Sequence, residues 1–133
     1  MNLTNLNQKI ILKTGIFGIL MGISTTLGWC QEKEIYILFI MIIGTILYLK
    51  KNLNSYIFSH SIIIGLSWGF DCSLIQIIFI DTYLINNPFY ANIINSITNI
   101  NSSFILILIG VFWGLISGTI IWISLYLTRK LRI

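Results

Sequence analysis

Three side chains able to move a proton or bind a ligand fall on one apolar stretch of this sequence: His60, Ser67 and Asp71. Asp71 lies four positions after Ser67 and eleven after His60. On a helix turning about 100° per residue, eleven positions return to within about 20° of the same direction, so the three share one face, with Asp71 about 16 Å deeper than His60. A charged acid at mid-bilayer costs at least about 2.5 to 3.5 kcal/mol, so it is turned inward, paired or protonated. Two chemistries fit. Asp71 is a proton- or ion-binding carboxyl at the centre of a carrier, with Ser67 and His60 beside it, or a neutral acid hydrogen-bonded within a helix bundle. His60 taken alone reads as a solvated residue at a span end; as a haem ligand it would need a partner from another chain.

Other chemistry is excluded more simply. Cys30, Cys72 and His60 are too few to build a zinc site of the usual ligand count within one chain. The two cysteines are expected at different depths, which puts a disulfide between them out of reach. There is no glycine-rich phosphate loop, nucleophile elbow or metal motif. The sequence therefore predicts no enzyme, no catalytic residue, no metal and no cofactor.

The elements that position these groups follow from composition. Of 133 residues 56% are hydrophobic and 9% charged, with a mean hydropathy of +0.91. Soluble domains carry roughly 25% charged residues, so the lipid bilayer is the expected surrounding. Net charge is +4 from eight basic and four acidic residues, without the clustered basic stripe that nucleic acid requires. Isoleucine occurs 32 times and valine once, a bias that suggests a low-GC genome and has no folding rationale.

Four apolar runs, 10–30, 35–49, 56–80 and 104–127, predict an all-α polytopic fold in one domain spanning residues 1–133. About 20 residues cross a hydrocarbon core of about 30 Å, so the second run is short and needs Glu34 and Lys50 or Lys51 to snorkel. None shows the alternation of barrel strands. The first run competes with a signal peptide ending near Gly28 and is read as uncleaved. Lys9, Lys13, Lys50, Lys51, Arg129, Lys130 and Arg132 fall on one side, with only Lys33 on the other. The positive-inside rule then places both termini in the cytoplasm of a multi-pass inner-membrane protein. Trp29, Tyr36, Tyr48, Tyr56 and Tyr83 near the span ends read as interfacial anchors.

Small residues form the clearest pattern: Gly18 and Gly22, Gly65 and Gly69, then Gly110, Gly114 and Gly118. Glycine at i and i+4 clears a stripe along which backbones approach closely. A seam within the chain is one use, and a homo-oligomer or a membrane partner subunit docked on the last helix is another. Gly65, Gly69, Cys72 and Gln76 mark a second stripe on the third run. Between the last two runs, Asn87 before Pro88 marks a helix start. Phe89, Ile93, Ile97 and Ile100, with Asn92, Asn95 and Asn99 elsewhere around it, predict an interfacial amphipathic helix. Asn101-Ser102-Ser103 matches a glycosylation sequon, a chance match in an asparagine-rich chain.

From the basic junction at Lys51, through Tyr56-Ile57-Phe58, Gly65, Gly69 and Phe79-Ile80-Asp81-Thr82-Tyr83, to Asn87-Pro88-Phe89-Tyr90, the chain resembles an uncharacterised family of small four-helix bacterial membrane proteins common in Bacteroidota. The resemblance covers about 40 residues. It implies a four-span integral membrane fold and brings no activity, cofactor or catalytic residue with it. The leading expectation is a non-enzymatic structural or accessory subunit packing through glycine faces. A proton- or ion-coupled carrier centred on Asp71 and a holin-like pore former are the alternatives.

Overall fold

The computed structural model describes residues 6–30, 33–97 and 100–131. These form six helices: α1 Gln8–Thr26, α2 Glu34–Asn52, α3 Ile57–Ile78, α4 Ile80–Asn86, α5 Pro88–Ser96 and α6 Ser102–Lys130. Gln31, Glu32, Asn99 and Arg132 lie outside the described residues. Three helices, α1, α3 and α6, are long and apolar enough to cross a membrane. At about 1.5 Å per residue, the 22 residues of α3 reach about 33 Å. α2 carries Glu34, Lys50 and Lys51 within its 19 residues, which leaves the same short apolar run that the sequence marked.

The helix ends are written locally. Asn7 caps α1 by accepting from the Ile10 amide, and Asn101 caps α6 by accepting from the Ser103 amide at 2.8 Å. α1 closes in a Schellman turn: Gly28, at φ +69°, donates to the Thr25 carbonyl, and Trp29 donates to that of Ser24. The Gly28 that ends the first apolar run is thus a helix stop. Pro88 opens α5 at its first turn. Pro88 does start a helix there, but it ends at Ser96, short of Ile97 and Ile100. Phe89 and Ile93 stay exposed on it, while Ile94 turns inward.

The packing is polar and small inside, large and apolar outside. Buried positions include Thr14, Gly18 and Gly22 of α1, Ser61, Gly65 and Gly69 of α3, and Gly114, Ser117 and Gly118 of α6. Leu12, Ile16, Ile40, Ile43, Leu108 and Phe112 face outward and are more than half exposed. Water would penalise such a surface; lipid would not, and close backbone contact is then the main source of helix association. α3 lies between α1 and α6 and packs closely on both, while α2 leans more loosely on α6 and α1.

The glycine stripes are used inside the chain. A side chain on Gly114 would come within 2.6 Å of the Gly65 carbonyl, and one on Gly118 within 2.8 Å of the Ser61 carbonyl. Gly69 and Gly110 meet more closely still. Gly18 and Gly22 form the second seam, against Trp68 and against Cys72 and Ile75. The stripe on α6 therefore meets α3 of the same chain.

One end of the bundle gathers the start of α1, the α2–α3 junction and the end of α6. The Asn7 amide donates to His60 Nε2 at 2.9 Å, and the Arg129 guanidinium donates to the carbonyls of Leu53 and Asn54. Lys9, Lys13, Lys50, Lys51 and Lys130 belong to that same end. A core that includes Ile10, Leu49, Ile64, Ile121 and Leu125 fills this half. The opposite half is held differently, and there a cavity opens.

Candidate small-molecule cavity

The loose seat of α2 and the glycine seams of α3 leave a cavity of about 650 Å³ in the half of the bundle away from the basic end. α1, α2, α3 and α6 form its walls, and α4 and α5 cover it through Tyr83, Asn87 and Tyr90. Sites for drug-sized molecules run from about 300 to 1,000 Å³, mostly apolar with a few polar groups converging. This cavity has that character.

Its cover is fixed by amide side chains. Asn87 Nδ2 donates to the Thr25 carbonyl at 2.8 Å and to the Tyr83 carbonyl at 2.9 Å, and Asn86 Nδ2 donates to the Thr26 carbonyl at 2.9 Å. Gln76 Nε2 donates to the Thr25 hydroxyl at 3.0 Å. The Thr25 and Thr26 carbonyls at the end of α1 are thereby tied to α4 and to the α4–α5 junction. Tyr83, Ile94, Ile105 and Leu106 form a small core behind the cover. On the α6 wall Ser73 donates across to the Leu106 carbonyl at 2.8 Å. Lower down, Trp68 donates its indole N–H to the Thr14 carbonyl at 2.7 Å, which turns its ring toward the cavity floor.

One acid lines the cavity. Glu34 opens α2 just before the apolar run 35–49, and Tyr90 Oη donates to its Oε2 at 3.4 Å. The other oxygen, Oε1, is buried and has no hydrogen-bond partner among the described residues. Burial pushes the Glu34 carboxyl above the ordinary glutamate range, and the Tyr90 hydrogen bond offsets part of that rise. Among the described residues no lysine, arginine or histidine lines the cavity.

The sequence-derived triad does not form one site. His60 is 1% exposed, bonded to the Asn7 amide and, at 2.9 Å, to the Tyr56 carbonyl. It is a buried junction residue and not the solvated one expected. Ser67 donates to Asp71 Oδ2 at 3.1 Å. Both are half-buried on the α1 side of α3, where a side chain on Gly15 would be 3.4 Å from Ser67 Oγ and 3.6 Å from Asp71 Oδ2. Neither lines the cavity. The second stripe fares differently: Gly69, Cys72 and Gln76 do line it, while Gly65 lies in the α6 seam.

Sequence reasoning passed over Glu34, Tyr90 and Asn87. Tyr83, expected as an interfacial anchor, is only 3% exposed and belongs to the cavity cover, whereas Trp29 and Tyr36 are largely exposed. The available signal was the cluster Asn86-Asn87-Pro88-Phe89-Tyr90, dense in amides and aromatics directly after a span. Cys30 and Cys72 are free thiols, and no group of three potential ligands gathers for a metal among the described residues. Comparison with protein-family models, with curated proteins and with solved structures gives no match.

Proposed function

We propose that this chain is a non-enzymatic, multi-pass inner-membrane protein that binds a small amphipathic molecule inside its helix bundle. The observation that carries the reading is the cavity itself: about 650 Å³, apolar along its walls, with Gln76, Asn87, Tyr90 and Glu34 at one end. A subunit whose only task was packing would gain from closing that space, since unfilled volume forfeits dispersion contacts. α2 is read as a fourth span, with the paired lysines reaching the interface at one end and Glu34, turned to the cavity, closing the other. Both termini are placed in the cytoplasm, because the basic residues gather where α1 begins and α6 ends. The cavity then opens toward the opposite face of the membrane. A carrier centred on Asp71 finds less support, because Asp71 does not line this cavity.

Occupancy tests the reading. The purified chain in nanodiscs is dialysed against tert-butylbenzene, a neutral probe small enough for the cavity, with empty nanodiscs as the blank. Saturable uptake of about one probe per chain is expected, abolished by Ile109→Trp or Leu38→Trp, which place an indole in the cavity. Uptake equal to the blank, or uptake unaffected by both substitutions, overturns it.

A further inference from the structure

The cavity's lining also selects among ligands. Its single carboxyl among the described residues has one oxygen buried without a partner among them, and leaving a buried acceptor unsatisfied is costly. A ligand donor or positive charge placed at that oxygen would satisfy it. An anionic ligand would instead meet the carboxylate with no lysine, arginine or histidine on the cavity wall to compensate. Around Glu34 the lining is aromatic: Tyr83 and Tyr90 have ring centroids 6.3 Å apart, Phe89 packs edge-on to Tyr90 at 5.5 Å, and Trp68 and Trp113 line the deeper walls. Aromatic faces attract ammonium groups, more strongly where water is excluded.

Building on the proposed binding role, we infer that the cavity takes a small organic cation, its ammonium group seated at Glu34 and Tyr90 and its apolar body directed toward Trp68 and Trp113. The titratable groups facing Glu34 are Tyr90 of α5, Tyr83 of α4, Cys72 of α3 and Cys30 in the preceding turn. Lys33, adjacent in sequence, is exposed. None of these supplies a counter-charge inside the cavity. The elevated proton affinity of Glu34 agrees with this seat, since a carboxyl lacking a cation partner holds a proton in its place.

The test compares two probes of nearly the same shape that differ in charge. Phenyltrimethylammonium and tert-butylbenzene are each titrated onto the full chain in nanodiscs at pH 8, with empty nanodiscs as the blank. The cation is expected to bind at least about tenfold more tightly than its neutral isostere, after correction for uptake by lipid. Glu34→Gln is expected to remove that preference by weakening the cation about tenfold while leaving the neutral probe within about twofold, and Glu34→Asp to restore part of it. Equal affinity for the two probes overturns the cation class and leaves the binding role standing. Failure of both probes to bind overturns both. A cation preference that survives Glu34→Gln also overturns the inference, because it would arise elsewhere than at this carboxyl. Should Glu34→Gln fail to fold, the comparison of the two probes on the unaltered chain and on Glu34→Asp still decides.

Discussion

Tyr90 and Glu34, 56 residues apart, meet across the mouth of the cavity, the phenol of α5 donating to the carboxylate that begins α2. That hydrogen bond links the cover to the most loosely packed helix, and it opposes the rise in proton affinity that burial imposes on Glu34. Cover, wall and charge thus share one contact.

Cation binding should therefore depend on pH in a defined direction. The cation prefers the carboxylate, whose pKa is raised, so affinity should fall as pH drops through that elevated value and level off about tenfold lower, the loss expected of Glu34→Gln. Tyr90→Phe removes the interaction that favours the charged form, so it should move the midpoint to higher pH. The empty protein should show the opposite slope in stability. Its raised carboxyl favours the fold most at low pH, and that contribution is lost as pH rises from the ordinary glutamate value through the elevated one. Titrations of phenyltrimethylammonium and thermal melts across pH, each repeated with Glu34→Gln, check both signs. A flat Glu34→Gln profile is expected, and an unchanged one would assign the pH dependence to another group.

The glycine seam predicts a folding defect. Gly114→Leu would drive a side chain into the Gly65 carbonyl and the Leu66 backbone, groups that cannot swing aside. Overpacking of this kind costs about 1 to 3 kcal/mol, and more where backbone must move. The variant should lose helical content on heating well below the unaltered chain, whatever its oligomeric state. Normal melting with a reduced oligomer mass would show that the stripe faces another chain after all.

What the sequence made legible follows from which forces act locally. Helices were readable because lipid demands that backbone groups be satisfied within each apolar run, and the start of α5 because Asn87 and Pro88 act on its own first turn. The cavity was not readable, because it depends on which outward-looking apolar faces come together and on α2 being held more loosely than α1. Asp71 drew notice as an isolated acid inside a long apolar run. Glu34 did not, because an acid at a span end is ordinary; only the fold reveals that α4 and α5 close over it.

The cover should be separable from the walls. Asn87 is 4% exposed and donates to two carbonyls on different helices, so Asn87→Ala should destabilise the chain by about 1 to 3 kcal/mol. Because the loss falls on α4 and the end of α1, probe dissociation should quicken more than global melting falls. Hydrogen exchange by mass spectrometry would show the effect confined to residues 80–96 and the end of α1, and uniform loss of protection would instead make Asn87 part of the global core.

Sidedness has its own test. With Cys30 and Cys72 replaced by serine, a single cysteine at Asn95 should react with an impermeant maleimide in intact cells, and one at Asn52 only after lysis. Both positions are exposed, so access to the reagent is governed by the membrane. The reverse pattern would invert the orientation and turn the cavity mouth toward the cytoplasm. Labelling of both sites from outside would remove α3, the helix between them, from the set of spans.

Asp71 provides the sharpest contrast with Glu34, since the two acids serve different surroundings in one bundle. Asp71 accepts from Ser67 one turn earlier and packs beside Gly15 and Gly18 of α1, outside the cavity. Asp71→Asn keeps the shape and can still accept from Ser67 through its amide oxygen. It should fold, melt close to the unaltered chain and bind phenyltrimethylammonium within about twofold, whereas Glu34→Gln should weaken the same probe about tenfold. Combining the two substitutions should add nothing beyond the Glu34 effect, because groups that share no partner act independently. If Asp71→Asn instead abolishes binding in a folded protein while Glu34→Gln spares it, the ligand sits at the α1–α3 seam, and a carrier built around Asp71 replaces the cavity reading.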